Sequence, residues 1–472
     1  MTSLAEERAE QLRWTSQLRR PMPHYDRLVE NEFRSPEEHM ARSARRLGAM
    51  LGFAAREVPY YRDRFCPFDA NALRDDPMRA LAELPVLSKL DVMDAGPALR
   101  AERLPQGEKA GSVWRSSGTT GRPISVAYSQ GSGLMFNLLA QRSSRWHRLD
   151  PSGTFAEMRI PSLLSGGARG KPLASHETDR RRCWRGMEHF TTGPYVAVSV
   201  IAPAEQLIEW LRCERPDYLM TYSETLELLA RASGDEPPVD SLKAVVAISE
   251  QLTPSMRAYT ERRFGTPVHQ TYGLMEFGMV GVRCDAGRYH VHNEHCLVEI
   301  VDENGRPCGA GQRGRVVITT LTNVMMPLIR YDTGDLAEAV SGPCPCNRTL
   351  PSLGDIVGRY SRIAFLPPQT MARVAALREA IENMPTELAR DLREFQIHQF
   401  ADKRMELRFV ARSAPPDAFF EHLRAEWAKA TNRGEPELTM RRVDEIPRSP
   451  GGKTEVFTSD FMPARNEKPM AP

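Results

Sequence analysis

The chain has 472 residues, 41% of them hydrophobic and 26% charged, with a formal net charge of +2. That length allows two or three domains with a large core, and the composition is ordinary for a soluble globular protein. Near-neutral charge gives no reason to expect a nucleic-acid partner, and no apolar run approaches the roughly 18 residues that span a bilayer. Residues 1–20 are charged and lack the apolar core of a secretory leader, and the eight cysteines are scattered, unlike a disulfide framework. The expectation is a cytoplasmic, reduced protein without a membrane partner.

In chain order, residues 1 to about 67 carry helical spacings of Leu12, Leu18, Leu47, Met50 and Leu51, closed by Val58-Pro59-Tyr60-Tyr61-Arg62. A short apolar run into a serine cap follows at Leu84-Pro85-Val86-Leu87-Ser88-Lys89. After the hydroxyl-rich stretch 115–123, a half-buried strand is expected at 124–128 and a helix over 131–150. The polar, basic stretch 166–185 predicts a mobile surface loop, with Arg180-Arg181-Arg182 as solvated charge. Strands at 196–201, 218–222 and 243–248 then alternate with helices at 204–212, from 223 to 229 and from 254. That alternation predicts an α/β sheet with crossover helices. Past Val268 the pattern changes to strand–turn signals at 298–301, Asn304-Gly305 and 314–320, predicting a small antiparallel or barrel-like subdomain. From Gly358 a separate α+β module is expected: a helix over 371–383, strands near 395–400 and 405–410, and a helix over 417–431. The tail beyond Phe461 is polar and reads as frayed.

Five stretches carry residues suited to nucleotide chemistry. Arg115-Ser116-Ser117-Gly118-Thr119-Thr120-Gly121-Arg122-Pro123 alternates hydroxyls with glycines, so its backbone amides can approach a polyanion closely. The Gly-Lys-Ser/Thr ending of a Walker loop is absent, which disfavours a P-loop NTPase. In Gln270-Thr271-Tyr272-Gly273-Leu274-Met275-Glu276 a glycine separates an aromatic ring that can stack on a base from a carboxylate that can meet a phosphate-bound cation. Arg330-Tyr331-Asp332-Thr333-Gly334-Asp335 presents Asp335 after a glycine turn, suited to accept from both ribose hydroxyls. Gly358-Arg359 places a guanidinium at a domain junction. Pro447-Arg448-Ser449-Pro450-Gly451-Gly452-Lys453 ends in a lysine on a Gly-Gly turn, able to meet developing negative charge. Taken singly, each has a plain structural reading as a surface turn or a solvated charge.

Together, in this order and spacing, they resemble the adenylate-forming superfamily of acyl-CoA synthetases and adenylation domains, with the nearest likeness in the phenylacetate–CoA ligase family. The likeness is carried by Val58-Pro59-Tyr60-Tyr61, Leu84-Pro85-Val86-Leu87-Ser88-Lys89, Ser116-Ser117-Gly118-Thr119-Thr120-Gly121, Tyr272-Gly273-Leu274-Met275-Glu276, Arg330-Tyr331-Asp332-Thr333-Gly334-Asp335 and Gly452-Lys453. It spans about residues 58–457 and is weakest over 166–185 and 361–379. The resemblance implies an α/β enzyme with a large N-terminal domain (1–358), including a small β and zinc subdomain at about 280–357. A small mobile α+β C-terminal domain (359–472) would carry the catalytic lysine. It implies ATP-dependent activation of a small carboxylic acid, aromatic in the relatives, through an acyl-adenylate, then transfer to the thiol of coenzyme A. Carried over residue by residue, Ser116, Ser117, Gly118, Thr119, Thr120 and Gly121 hold the β- and γ-phosphates, and Tyr272 with Gly273 packs on adenine. Glu276 ligates magnesium, Asp335 the ribose, and Arg359 the nucleotide near the hinge. Ser249-Glu250 lies where the adenine and acyl pockets meet, and Lys453 bridges carboxylate and α-phosphate in the first step alone. A homodimer is expected by the same analogy.

Cys284, His290, Cys344 and Cys346 offer three thiolates and one imidazole, a set that would close a tetrahedral structural zinc site like that of many relatives. His292 and His295 are rival imidazoles, and reduced cysteines beside a surface histidine are the plain alternative. The chain departs from the family after Arg359, where Tyr360-Ser361-Arg362-Ile363 replaces acidic residues and the glycine-containing loop that meets coenzyme A. Ile124 also stands where many relatives have a basic residue. A carrier-protein pantetheine arm or an amine is therefore an alternative acceptor, and a non-catalytic nucleotide-binding protein is a third reading.

Overall fold

A computed structural model describes residues 4–19, 22–65, 73, 75–115, 124–166, 171–172, 177–233, 236–249, 252–359, 377, 380–381, 384–389, 391–402, 404–431, 437–447 and 457–460. The chain divides into two compact units, the first of residues 1–152, 183–193 and 270–358, the second of 153–182, 194–269 and 359–472.

In the first unit, the long helix Pro36–Glu57 starts at a full capping box: the Ser35 hydroxyl accepts from the Glu38 amide, and Glu38 accepts from the Ser35 amide. Such reciprocal bonds satisfy amides that a helix start leaves open. Leu47, Met50, Leu51 and Ala54 recur at helical spacing and bury one face in the unit's main core, with Val58, Tyr61, Leu84, Leu87, Val316 and Ile318. The strands are ordered Cys296–Val301, Arg313–Thr320, Tyr331–Ala339, Ser352–Arg359, Tyr289–Val291, Gly278–Arg283 and Val268–Leu274. The paired registers along this row are antiparallel. The antiparallel half of the expectation past Val268 thus holds, and among the described residues the strand order does not close into a barrel. The expected mobile loop at 166–185 is also corrected at its end, where Trp184 is buried and packs edge-on against Trp14 at 5.9 Å.

The helix Gln130–Trp146, capped by Ser129, carries a buried charge cluster. Arg142 Nη2 donates to Glu294 Oε1 at 2.7 Å, and its Nε lies 3.1 Å from Glu32 Oε1. Arg145 and Trp146 Nε1 also donate to Glu32. Arg145 is buried and belongs to the core. Buried charges are tolerated only when paired and hydrogen-bonded, and removing one partner typically costs about 3–5 kcal/mol.

In the second unit, Ala244–Ile248, Tyr218–Tyr222, Phe155–Arg159 and Tyr195–Ser199 form a parallel row. Val196, Val198, Leu219, Val245 and Ala247 bury beneath the helices Ala204–Glu214, Ser223–Ala232 and Pro254–Phe264, as the alternation predicts. The edge strand Asp179–Arg181 adds antiparallel to Tyr195–Ser199. This second correction to the surface-loop expectation has a physical cause: a polar edge strand carries no hydrophobic alternation. Arg180 and Arg181 pair with Glu214 and Asp179 there.

Farther along the same unit, the order Leu438–Arg442, Met405–Ala411, Leu392–Gln399, Phe457–Ser459 makes a four-stranded sheet. The helix Asp417–Ala430 brings Phe419, Leu423 and Trp427 into one core with Phe395, Ile397, Leu407 and Phe409. Of the helix expected over 371–383, residues 377, 380 and 381 are described and are helical; the tail beyond Phe461 lies outside the described residues. Among those residues no helix is long and apolar enough to cross a membrane, and every cysteine is a free thiol.

Arg142→Met should destabilise the protein by about 3–5 kcal/mol in urea unfolding, because Glu294 and Glu32 lose their shared partner. Burial opposes the charge of Glu294, but Arg142 outweighs it and brings the carboxyl down to about 2 from 4.5. A depressed folded-state value stabilises above the unfolded one and fades as pH falls through the folded one. Stability should therefore drop between pH 4.5 and 2, and Glu294→Gln should flatten that limb.

Candidate active site

Two segments of the first unit bring the sequence-predicted residues together. One is the end of the strand Val268–Leu274 with its following turn. Its register against Gly278–Arg283 shifts between Tyr272 and Gly273, a bulge that re-aims side chains. A Cβ on Gly273 would stand 2.9 Å from the Gly278 carbonyl oxygen, so glycine is required by the close strand approach. Met275, Glu276 and Phe277 are then fixed one by one. The Tyr128 hydroxyl donates to the Met275 carbonyl at 2.5 Å, the Tyr331 hydroxyl to Glu276 Oε1 at 3.4 Å, and His295 Nε2 to the Phe277 carbonyl at 2.5 Å. Burial first, and the Glu276 charge second, push the Tyr128 phenol well above its ordinary value, which keeps it a donor. Glu276 itself is buried.

The other segment is Tyr331–Ala339, preceded by Arg330. Arg330 sits at φ 50°, uncommon for a side-chain-bearing residue. It is held there by guanidinium bonds to the carbonyls of Ala82, Leu84 and Gly305 and by Glu299 at 3.1 Å. The Leu87 amide donates to the Arg330 carbonyl and the Asp332 amide to the Leu87 carbonyl, at 2.8 and 2.9 Å. The Tyr61 hydroxyl donates to the Pro327 carbonyl and accepts from the Ile329 amide, both at 3.1 Å. The motifs at 58–61 and 84–89 thus brace this segment. Within it the register to Arg313–Thr320 shifts between Arg315 and Val317, and Gly334 takes φ 77°, a left-handed turn that favours glycine. The turn delivers Asp335, buried, to the Tyr272 hydroxyl, which donates to its Oδ2 at 2.7 Å.

The Cys/His quartet also converges in this unit. The donor atoms of Cys284, His290, Cys344 and Cys346 all lie within 4.8 Å of one another. Cys284 and Cys344 sulfurs are 3.7 Å apart, and His290 Nε2 is 3.1 Å from Cys346 Sγ. Tetrahedral bonds of about 2.3 Å set sulfurs roughly 3.8 Å apart, so the spacing suits zinc. His290 Nδ1 donates to the Leu350 carbonyl at 3.1 Å, which turns the lone pair of Nε2 toward the sulfurs. The Cys284 thiol first, and His290 after it, pull Cys346 down. The rival imidazoles are elsewhere: His292 Nδ1 accepts from Arg142, and His295 spans Phe277 and Thr322.

Ser116, Ser117, Gly118, Thr119, Thr120, Gly121, Glu250 and Lys453 lie outside the described residues, and Arg359 is described only as the last residue of its strand. In the second unit Ser249 follows the strand Ala244–Ile248 at φ 73°. Tyr128, Tyr331 and His295 are site-building residues that the sequence reading did not assign. Tyr331 stands inside one of the five nucleotide-type stretches, and His295 was named only as a rival imidazole for zinc.

Residues 182–327 match the AMP-binding enzyme family. The phenylacetate-coenzyme A ligase of Escherichia coli K12 is 30% identical over 340 residues, 70% of this chain and 72% of that protein. Its namesake from Thermus thermophilus is 27% identical over 378 residues, 76% and 79% respectively. Among solved structures, 2-hydroxyisobutyryl-CoA ligase in the postadenylation state aligns with a TM-score of 0.69 at 18% identity, covering 91% of each chain. An anthranilate CoA ligase aligns at 0.53 and 14% identity, covering 73% of this chain and 66% of that one; both show a shared fold. The AMP-binding match and these relatives define an adenylate-forming enzyme. The chain belongs to the phenylacetate–coenzyme A ligase family.

Burial holds His295 below its ordinary value, and burial together with Arg142 holds His292 well below it. Both are neutral in the fold, whereas the unfolded chain takes up protons as pH falls below about 6.5. Stability should therefore be full above pH 6.5 and decline below it, ahead of the carboxylate limb. His295→Ala should reduce that slope and cost roughly 1–3 kcal/mol by orphaning the Phe277 carbonyl, as read by unfolding across pH 5–8.

Proposed function

We propose that the protein activates a small carboxylic acid, aromatic or closely related, with ATP and passes the acyl group to the thiol of coenzyme A. The observation that carries the reading is the convergence of Tyr272, Glu276 and Asp335 on two braced, bulged segments, in a chain of this family. The carboxylate oxygen of the acid attacks the α-phosphorus. A new P–O bond forms as the bond to the bridging oxygen breaks, and pyrophosphate leaves. The thiol sulfur then attacks the acyl carbon; the C–O bond to phosphate breaks, AMP leaves, and the thiol proton passes to solvent.

Tyr272 supplies a face for adenine, Asp335 accepts from the ribose, and the hydroxyl loop 116–121 donates to the β- and γ-phosphates. Lys453 balances charge where the carboxylate meets the α-phosphate, and Arg359 and Glu250 complete the nucleotide contacts. Glu276 suits magnesium, a hard cation that takes one or two carboxylates and fills its shell with water and phosphate oxygens; when bound it would neutralise the triphosphate. Cys284, His290, Cys344 and Cys346 would hold a structural zinc that cross-links two loops and leaves no open position.

Acid-dependent pyrophosphate release across aryl and short acyl acids, with acyl-CoA detected by mass, tests the reading. Release without acyl-CoA would move the acceptor to a carrier thiol or an amine, the alternative raised by Tyr360-Ser361. Lys453→Ala should lower adenylation roughly 10²–10⁴-fold, and an unchanged rate would remove the lysine from the mechanism. For the metal knot, elemental analysis should find one zinc per chain, and Cys344→Ser should lose it together with thermal stability.

A further inference from the structure

The two site segments exchange hydrogen bonds in both directions. Tyr272, on the turn that carries Glu276, donates to Asp335 at 2.7 Å. Tyr331, on the segment that carries Asp335, donates to Glu276 at 3.4 Å. Each segment therefore supplies a phenol to the other's carboxylate, across 63 and 55 residues of chain. All four side chains are buried, and the Phe277 and Tyr331 rings pack 5.9 Å apart beside them.

A buried carboxylate needs partners for its lone pairs, and its rotamer follows the partner that is fixed. Tyr331 is fixed by the Arg330–Leu87 pairing and Tyr272 by its strand register. A carboxylate has about four acceptor positions, and the phenol bond that orients each group takes one of them.

We propose that Tyr272 and Tyr331 are positioning residues that aim the ribose carboxylate and the metal carboxylate respectively. The inference rests on the reading that Asp335 meets ribose and Glu276 meets the cation. Tyr272 thus has two separable duties, its ring for the base and its hydroxyl for Asp335. Because the bonds are reciprocal, a shift of one segment also displaces the other's carboxylate, so ribose and metal recognition are coupled.

The test uses the full chain with Tyr272→Phe and Tyr331→Phe, which keep the rings. Calorimetry reads the affinities for ATP, 2′-deoxyATP and 3′-deoxyATP with magnesium, and electron paramagnetic resonance reads Mn²⁺ binding in the presence of ATP. In the unchanged protein each missing ribose hydroxyl should weaken binding roughly 10-fold, as expected for a bond to a charged group. Tyr272→Phe should weaken ATP roughly 5- to 10-fold yet hardly alter binding of the deoxynucleotides, so the deoxy penalty collapses. The ratio within one variant cancels any loss of folded protein. Tyr331→Phe should raise the Mn²⁺ half-saturation roughly 5-fold and reduce the deoxy penalty in part.

An undiminished deoxy penalty in Tyr272→Phe, or unshifted Mn²⁺ binding in Tyr331→Phe, overturns the inference. Asp335→Asn and Glu276→Gln separate the causes. If these two remove ribose discrimination and Mn²⁺ binding while the tyrosine variants do not, the site reading stands and the positioning role fails. If Asp335→Asn keeps the deoxy penalty or Glu276→Gln keeps Mn²⁺ binding, the site reading fails and takes the inference with it.

Discussion

The first unit depends on the desolvated charge of Arg142. Its guanidinium lies between Glu32, just beyond the helix Pro23–Asn31, and Glu294, in the turn after Tyr289–Val291. Glu294 has Arg142 as its buried cationic partner, and Glu32 shares Arg142 with Arg145, so three segments far apart in sequence meet at one point. The consequences spread outward from there. Arg142 also donates to the Leu28 carbonyl at 2.6 Å and to His292. One turn further along the same helix, Trp146 packs edge-on to His290 at 6.0 Å while Arg348 lies 4.3 Å over its ring. The helix that neutralises the core is thus also the wall behind the Cys/His quartet.

The turn after Tyr289–Val291 carries this rigidity toward the chemistry. Glu294 is locked to Arg142, and the next residue, His295, donates to the Phe277 carbonyl beside Glu276. A neutral imidazole suits this post because it donates through Nε2 and accepts from Thr322 through Nδ1, filling a dry site with no net charge. Two residues, His295 and Phe277, thus link the charge cluster to the carboxylate of the candidate metal site. Preorganised carboxylates of this kind spare a bound nucleotide the reorganisation that flexible side chains would impose.

The motifs that carry the family resemblance divide into two kinds once the contacts are in view. Tyr272, Glu276 and Asp335 are the residues proposed to meet the nucleotide and its cation. Tyr61, Leu87 and Arg330 contact other protein groups instead, holding the segment from Pro327 to Asp332 in a backbone shape that includes a left-handed arginine. Strained backbone persists only where surrounding bonds over-determine it, and Arg330 has that support on four sides. A motif that carries the family resemblance therefore need not touch substrate; part of it shapes the loop proposed to do so.

Local pattern alone determined a large part of this protein. Alternation of apolar runs revealed the parallel strands around Val198, Leu219 and Val245 with their crossover helices, because burial of one face imposes a period on each element separately. Residue chemistry was equally readable: three cysteines and a histidine within one subdomain marked the quartet, and Tyr272, Glu276 and Asp335 were singled out by type and by the glycines beside them. The edge strand Asp179–Arg181 was invisible because a polar edge needs no apolar alternation, and Trp184 because one buried ring has no period. The pairings of Arg142 with Glu294, Tyr128 with Met275, and each site tyrosine with the opposite carboxylate were decided by the tertiary structure alone. They join residues 55 to 152 positions apart, and at such separations only the folded sheet registers choose which donor meets which acceptor.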